Sequence, residues 1–397
     1  MNIIVSKLAF QTGIAQLTYF CSNLYVFSNI GGVEFAFLGQ YLAYMQILTI
    51  FITFREEIRF PYLHEEKKKE IESKIILRSS FTILFGILFL TFPLSTGSYI
   101  QMEILALALV GSGVNAILVL GKEKGIDAKD YNLINIIRNN WIYVFSFASI
   151  FAVILEVKII CFLIICDLIS RIILLVFILN KLDFFTRKQW DQYHLLFKIN
   201  PNIDVVTSVL SILCYSLPML LLPHVITEET AGEYFIAFRI AMGPVTLLSN
   251  AFNDYFKSFY RINLVEDTSN SYSKDLRTLL KISCLIFVVS NLMCYMMLQL
   301  VPEHRNLITM IMILTLPSGL RLCHSSFNFL HQLKNELKGN FYLYLRGTLI
   351  IFIATVTAML SDNILQTTIS LAIGYCIFLI DALRFNNRIS SNIPMFD

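Results

Sequence analysis

Long apolar stretches alternate with short polar segments along the whole chain. A bilayer core takes about twenty apolar residues per helix, and about twelve stretches of this length follow one another. In lipid, an isolated span satisfies its backbone hydrogen bonds only as a helix. The pattern therefore predicts an all-α integral membrane protein with transmembrane helices near 8–28, 37–58, 75–95, 99–120, 141–157, 159–180, 204–224, 231–252, 278–300, 307–330, 340–360 and 362–383.

Basic residues in the connecting segments indicate how these helices are oriented. Loops expected on one side of the membrane carry many lysines and arginines, whereas loops on the other side carry only Lys158 and Arg305. The positive-inside rule places the basic loops and both termini in the cytoplasm. Only an even number of spans agrees with this alternation. The N-terminal residues lack a basic leader and a cleavage site, so we expect the first apolar stretch to remain as a span.

The composition excludes a soluble protein. Hydrophobic residues make up 56% of the chain and charged residues 15%, whereas a soluble domain has about 25% charged residues. The net charge of +3 does not indicate nucleic-acid binding, because the basic residues follow the predicted topology. The eight cysteines form no CxxC pair and no cluster with histidine. We therefore expect neither a metal site nor another cofactor.

A weak internal repeat divides the chain into two groups of six spans. The segments 38–63 and 230–261 share a Gly-x-Tyr start, and aligning these starts sets Gln46 opposite Arg239. The two spans have the same orientation, so the repeat is parallel, with its axis along the membrane normal. We predict an N-terminal lobe, a cytoplasmic linker and a C-terminal lobe, with boundaries 1–180, 181–203 and 204–397.

A polar stripe follows one face of the eighth span. Its members are spaced alternately by four and three residues, which places them on one side of a helix; they are Arg239, Gly243, Thr246, Asn250, Asn253 and Lys257. By helical rise, Arg239 lies about 12 Å below the outer end of its span. A charge at this depth is expected to face protein or water. We predict that Arg239, Thr246 and Asn250 line a polar cavity to which Gln46 contributes; a structural arginine paired with a carboxylate or backbone carbonyls is the alternative.

Other spans of the second half add polar residues to this predicted cavity. Span ten contains Pro317-Ser318-Gly319, which suggests a kink, and then Arg321 and His324. Arg346 lies in the inner part of span eleven, and Tyr215 belongs to a polar stripe on span seven. Snorkelling to the cytoplasm is the alternative role of Arg321 and Arg346.

The balance of charges within the spans indicates the charge of the substrate. Asp167 and Arg171 stand four residues apart in span six, so we expect them to neutralise each other. Beyond this pair the arginines have few carboxylates within the spans. A cavity with unpaired arginines favours an anionic group, and phosphate matches the guanidinium fork.

Two segments carry a resemblance to a known family. The eighth-helix region, with Gly232-x-Tyr234, Arg239, Gly243-Pro244 and Leu-Leu-Ser-Asn-Ala-Phe, resembles that of the polysaccharide flippases. These are O-antigen and capsular repeat-unit exporters of the multidrug/oligosaccharidyl-lipid/polysaccharide exporter superfamily. The second-helix region is also similar, with Gly39-x-Tyr41 and Thr53-Phe54-Arg55-Glu56-Glu57-Ile58.

The resemblance implies a V-shaped pair of six-helix lobes around a central cavity in the bacterial cytoplasmic (inner) membrane. It implies that an undecaprenyl-diphosphate-linked oligosaccharide crosses the membrane by alternating access during surface polysaccharide (O-antigen, lipopolysaccharide) biosynthesis. Arginines would receive the diphosphate or acidic sugars. The expected partners are this lipid-linked oligosaccharide, membrane lipid, and assembly proteins such as a polymerase. Coupling to H+ or Na+ stays open.

Two other function classes remain as alternatives. A cation-coupled multidrug or small-molecule exporter shares the two-lobe plan, although resemblance to that class leads one to expect a carboxylate in the first helix, and span one has none between Leu8 and Ser28. A membrane glycan polymerase or ligase would be an enzyme, and such enzymes resemble proteins with a large external loop. The external loops here are short, so we expect a transporter rather than an enzyme.

Overall fold

The computed structural model describes residues 3–57, 60, 64–91, 99–128, 130–157, 161–179, 203–262, 268–300, 304–328, 330–333, 336–361 and 363–391. Within these ranges the chain is helical and contains no β-strand. The long helices are α1 (Ile3–Ile30), α2 (Val33–Thr53), α3 (Glu65–Thr91), α4 (Tyr99–Asp127), α5 (Tyr131–Ile154), α6 (Phe162–Leu179), α7 (Ile203–Leu221), α8 (Glu228–Ile262), α9 (Thr268–Leu300), α10 (Arg305–Ser325), α11 (Leu337–Met359) and α12 (Ile364–Ser391). A helical turn, Leu330–Leu333, lies between α10 and α11.

The helices confirm the predicted fold class of an all-helical, multi-pass membrane protein. Each long helix covers most of one predicted span, and ten of those described are long and apolar enough to cross a membrane. The other two are α1 and α5, and the apolar part of α5, Asn139–Ile154, is shorter. The V-shaped arrangement of the lobes stays a prediction.

Several helices extend well beyond the apolar stretches. Helix α3 begins at Glu65, ten residues before the predicted span, and its first turns contain the charged run that follows His64. Lys74 pairs with Glu70 one turn away at 2.7 Å, and Lys124 of α4 reaches Glu72 at 2.7 Å. These ion pairs allow a mixed-charge sequence to continue the helix outside the apolar region.

The chain divides into two compact units, which we call the N-unit (Leu17–Ile212) and the C-unit (Met1–Gln16 with Leu213–Asp397). In the N-unit, α4 packs against α2, α3 and α6, and α5 packs against α6. In the C-unit, α10 packs against α8, α9 and α12, and α11 packs against α12. Each of these four contacts in the N-unit has its counterpart six helices later, so the main pattern of helix packing repeats.

The predicted linker and lobe boundaries stay predictions. Residues 180–202, which contain nearly all of the predicted linker 181–203, lie outside the described residues. The division into compact units falls within α1 and α7 rather than between helices.

Glycines allow close helix contacts in both units. A Cβ atom at Gly111 of α4 would collide with the hydroxyl of Tyr41 on α2. In the C-unit, a Cβ atom at Gly347 of α11 would lie 2.5 Å from the ring of Phe378 on α12. Small residues are characteristic of helix interfaces in membranes because they let the backbones approach.

Candidate functional site

Helix α8 holds the polar stripe on a partly accessible face. Arg239 is half-buried, and its guanidinium carbon lies 5.6 Å from the centre of the Phe235 ring. Thr246 is half-buried and donates its hydroxyl hydrogen bond to the carbonyl of Met242 at 2.7 Å, whereas Asn250 is exposed. Thr246 therefore satisfies its hydroxyl within its own helix, and the arginine and the asparagine amide are the accessible polar groups of this trio.

Arg321 of α10 is stacked on an aromatic ring. Its guanidinium carbon lies 3.8 Å from the centre of the Tyr215 ring on α7. Its buried Nε has no hydrogen-bond partner in the described part of the chain, and Arg321 forms no ion pair there. A guanidinium over an aromatic face is stabilised by about 0.5–2 kcal/mol, which does not satisfy the donor Nε. The contact therefore holds Arg321 in place and leaves hydrogen-bonding capacity for a ligand.

Tyrosines of other helices surround this contact. Tyr375 of α12 stacks on Tyr215 with ring centres 6.0 Å apart, and its hydroxyl donates to the carbonyl of Tyr215 at 3.3 Å. Phe238 of α8 lies 5.7 Å from Tyr375, and Tyr234 lies one turn from Phe238 with ring centres 6.1 Å apart. Three helices of the C-unit thus contribute to a connected row of aromatic rings that ends at the arginine, and we call Arg321, Tyr215, Tyr234, Phe238 and Tyr375 the aromatic-arginine cluster.

His324 lies one turn after Arg321 and is enclosed, with an exposed fraction of 1%. Its Nε2 is 3.4 Å from the hydroxyl of Tyr344, which in turn donates to Oδ1 of Asn328 at 3.3 Å. On the other side of the ring, Nδ1 is 3.3 Å from the amide nitrogen of Asn386. The predicted site histidine is therefore part of an internal hydrogen-bonded chain.

Arg346 occupies a different environment from the one expected. Its side chain is 57% exposed and pairs with Asp381 of α12 at 3.2 Å. The expectation that Arg346 lacks an anionic partner was wrong, because Asp381 lies on a neighbouring helix far away in sequence. Its role as a site residue stays a prediction, as does that of Gln46, which is exposed on α2.

The N-unit contains a buried arginine whose donor nitrogens all have protein partners, in contrast to Arg321. Arg171 of α6 binds Asp167 through Nε at 2.7 Å and Nη2 at 3.3 Å, which confirms the predicted pair. Its Nη1 donates to Asn115 of α4 at 2.8 Å, and its guanidinium lies 5.1 Å from the Trp141 ring. Every nitrogen of this guanidinium has a protein partner, so Arg171 is part of the scaffold.

The second segment of the family resemblance forms a sharp turn after α2. Phe54 and Arg55 both have left-handed backbones, with φ of 47° and 60°. Arg78 of α3 stacks on Phe54 at 4.7 Å and lies 3.5 Å from Glu56. Burial raises the pKa of Glu56, and the charges of Arg78 and Lys74 act against this. These contacts assign the turn a structural role.

Of the predicted site residues, the structure brings Tyr215 and Arg321 into direct contact and places His324 one turn further along α10. Arg239, Thr246 and Asn250 share a face of α8, while Arg346 is on α11 and Gln46 is in the N-unit. Sequence reasoning missed Tyr375 and Tyr344, because isolated tyrosines on apolar helices give no signal of their own. Among the described residues, no three His, Cys, Asp or Glu side chains form a group able to hold a metal ion.

Comparison with known proteins identifies the fold. No family model and no curated protein matches the sequence. A MOP-superfamily transporter from Pyrococcus furiosus, described as having a binding pocket of reverse polarity, has 15% identity and a TM-score of 0.61 over 98% of this chain and 96% of that one. An outward-facing multidrug-resistance MATE transporter and a MATE in complex with MaD3S each have 14% identity, with TM-scores of 0.62 and 0.63 over the same shares. The chain has the fold of the MATE transporters of the MOP superfamily.

Proposed function

We propose that this chain is a membrane exporter of the MATE type that moves a small or amphiphilic molecule. The observation that carries the proposal is the match of fold over nearly the whole chain to transporters of the MOP superfamily. A multidrug-type exporter, the alternative considered from the sequence, agrees with these neighbours better than a polysaccharide flippase. The helical, multi-pass architecture and the transporters among the structural neighbours support transport rather than catalysis.

The charge of the C-unit supports an anionic substrate. Arg321 and Arg239 are partly accessible, and the partners nearest to Arg321 are tyrosines rather than carboxylates. A transporter of organic cations needs acidic groups at its binding site, since opposite charges stabilise each other. The reverse polarity described for the Pyrococcus protein gives a precedent for a departure from the usual pocket within this fold.

A second candidate function is transfer of an undecaprenyl-diphosphate-linked oligosaccharide across the bacterial cytoplasmic membrane. It is favoured by the resemblance of segments 31–63 and 201–261 to the flippases and by the proximity of an arginine to several tyrosines. The guanidinium would bind the diphosphate, and aromatic rings are suited to the apolar faces of sugars. In this reading a polymerase and other assembly proteins are partners.

The test uses the purified full chain reconstituted in vesicles. Export of anionic and of cationic fluorescent organic molecules and transfer of a defined lipid-linked oligosaccharide are measured side by side. We expect transport of an anionic molecule and its loss in Arg321→Met. Arg305→Gln is the control, because Arg305 is an exposed arginine at the start of the same helix.

The outcomes separate the candidates. Transport of organic anions alone supports the first candidate, and transport of the lipid-linked oligosaccharide alone supports the second. Transport of organic cations without transport of organic anions contradicts the proposed negative charge of the substrate. No transport of any of these molecules contradicts the exporter proposal.

A further inference from the structure

The exposed face of α11 changes in character along the helix. Its exposed side chains are spaced by three or four residues, which places them on one side of the helix; they are Lys338, Tyr342, Arg346, Leu349, Ile353 and Val356. The outer part of this α11 stripe is apolar, so it is suited to contact with lipid. The inner part, which begins at the end predicted to be cytoplasmic, is basic and aromatic.

Helix α12 has a matching stripe of exposed side chains, which consists of Ile369, Ile373, Ile377, Ile380, Arg384 and Arg388. This helix runs in the opposite direction in the predicted topology, so its isoleucines are at the outer end and its arginines at the inner end. Both stripes therefore change from apolar to basic towards the cytoplasm. We call the two stripes together the α11–α12 face.

Glycine contacts show how the two stripes lie against each other. A Cβ atom added at any of three glycines would lie within 2.7 Å of the other helix, at the pairs Gly339 with Phe385, Gly347 with Phe378, and Gly374 with Ala354. In this register Leu349 is level with Ile377, in the apolar part of the face. Arg384 is at a level between Lys338 and Tyr342. The apolar parts of the two stripes therefore lie side by side, and so do the basic parts.

An ion pair joins the stripes where the apolar part gives way to the basic part. Nη2 of Arg346 lies 3.2 Å from Oδ2 of Asp381. Asp381 stands four residues after Ile377 and three before Arg384, which places it on the same side of α12. By helical rise, Asp381 is about 26 Å and Arg384 about 30 Å from Ile364 at the outer end. Because the hydrocarbon core is about 30 Å thick, the pair lies just inside the cytoplasmic boundary, and Arg384 lies at it.

The inner part of the face carries a surplus of positive charge. Residues 336–346 and 381–391 contain four basic side chains and two carboxylates. Arg346 remains 57% exposed although it is paired, so much of its guanidinium stays accessible. The counterpart helix in the N-unit, α5, has no charged residue between Asn140 and Ile154. The fold therefore does not require a charged group on this face.

We propose that the α11–α12 face binds an anionic phospholipid of the cytoplasmic leaflet. Arg346 and Arg384 bind the phosphate, Tyr342 lies at the level of the headgroup, and the acyl chains extend along the apolar parts of the two stripes. Basic groups between membrane helices on the cytoplasmic side are suited to anionic headgroups. A lipid matches better than a soluble anion, because the face has its basic and apolar parts in the order of headgroup and chains. This gives Arg346 a ligand other than the transported molecule and does not depend on the exporter assignment.

The experiment measures lipid binding to the purified, delipidated full chain by native mass spectrometry. The probes are phosphatidylglycerol and phosphatidylcholine with the same acyl chains, so they differ in the charge of the headgroup. We expect the tightest-bound phosphatidylglycerol to exceed phosphatidylcholine in affinity by about fivefold or more, the factor that one basic residue contributes near an anionic headgroup. Glycerol 3-phosphate, the soluble headgroup, should not displace the lipid at equal concentration.

Substitutions on the two stripes test the residues separately. Arg346→Gln and Arg384→Gln are each expected to weaken phosphatidylglycerol binding by about fivefold and to leave phosphatidylcholine binding unchanged. Arg384→Gln does not touch the ion pair, so it serves if Arg346→Gln fails to fold. Lys281→Gln is the matched control, because Lys281 is an exposed basic residue near the inner end of the α9 span, and it should leave the preference unchanged.

Asp381→Asn separates lipid binding from a merely structural ion pair. It removes the only carboxylate beside Arg346 in the described ion pairs and leaves the arginine in place, so phosphatidylglycerol should bind more tightly. A structural pair predicts the same direction of effect for Asp381→Asn and Arg346→Gln. That result, equal affinity for the two lipids, displacement by glycerol 3-phosphate, or an equal loss in Lys281→Gln overturns the proposal. So does a dimer that Arg346→Gln dissociates, because a second copy would then cover this face.

Discussion

Arg171 of the N-unit and Arg321 of the C-unit both lie against an aromatic ring, and they differ in what else they contact. Arg171 of the N-unit lies near Trp141 and is neutralised by Asp167, which is completely buried. Arg321 of the C-unit lies on Tyr215, with tyrosines and a histidine around it and no ion pair in the described residues. The two units share their helix-packing pattern, so the fold does not require either arrangement. The difference agrees with the proposal that Arg321 binds an anionic substrate.

The largest expected effect comes from breaking the neutral pair of the N-unit. Asp167→Ala leaves Arg171 buried without a counter-charge, and removing one partner of a buried pair costs about 3–5 kcal/mol. Thermal unfolding in detergent measures the loss. The double variant Asp167→Leu with Arg171→Met should recover most of it, because neither charge then remains. Equal destabilisation by the single and double variants would show that packing, not charge, is responsible.

The next comparison tests whether the two units are packed alike. Gly111→Ala places a methyl group against the Tyr41 hydroxyl, and Gly347→Ala places one against the Phe378 ring. Each is expected to lower the free energy of unfolding by about 1–3 kcal/mol through overpacking. Gly319→Ala is the matched control, because its Cβ would meet only ordinary contacts at 3.5 Å and beyond. If only one of these two substitutions lowers the free energy of unfolding, the units share their pattern of helix contacts but differ in how closely the helices pack.

His331 makes the stability of the C-unit sensitive to acid. This histidine, in the turn between α10 and α11, is completely buried and stacks on Phe385 with ring centres 5.2 Å apart. Burial lowers its pKa to about 4, below the value of about 6.5 in an unfolded chain. The stabilisation is therefore full above pH 6.5 and is lost as the pH falls towards 4. Between pH 8 and pH 5 the loss is about 2 kcal/mol.

The measurement is thermal unfolding of the wild type and of His331→Phe across this pH range. Phenylalanine keeps the stacking and does not titrate. The loss of stability of His331→Phe between pH 8 and pH 5 should therefore be smaller than that of the wild type by about 2 kcal/mol. Parallel profiles of the two proteins would rule out His331 as the source of the acid sensitivity.

The smallest effect on stability is expected at Arg321. Arg321→Met removes a cation–π contact worth about 0.5–2 kcal/mol, but it also removes an unsatisfied buried donor. We therefore expect a net change within about 1 kcal/mol, whereas Arg171→Met should destabilise by several kcal/mol because Asp167 is left unpaired. Thermal unfolding of the two variants compares them directly. A large loss in Arg321→Met would make Arg321 a scaffold residue like Arg171.

The all-helical, multi-pass fold class could be predicted from the sequence, because a bilayer imposes the length, apolarity and helical state of each span. The Asp167–Arg171 pair could also be predicted from the sequence, since both residues lie on one helix one turn apart. The ion pair between Arg346 and Asp381 could not be predicted, because Asp381 is on another helix. The same holds for the tyrosines around Arg321 and for the enclosure of His324. Contacts between helices depend on tertiary packing, which a periodic pattern on a single helix does not contain.

The lengths of α8 and α9 have a consequence for imaging this protein. With 35 and 33 residues, they are about 50 Å long, whereas the hydrocarbon core is about 30 Å thick. A detergent belt of that thickness leaves roughly 20 Å of each helix outside it unless the helices tilt strongly. Such projecting ends would break the outline of the micelle. They provide the asymmetric landmark that particle alignment needs in electron cryomicroscopy, which a small and mostly membrane-embedded protein otherwise lacks.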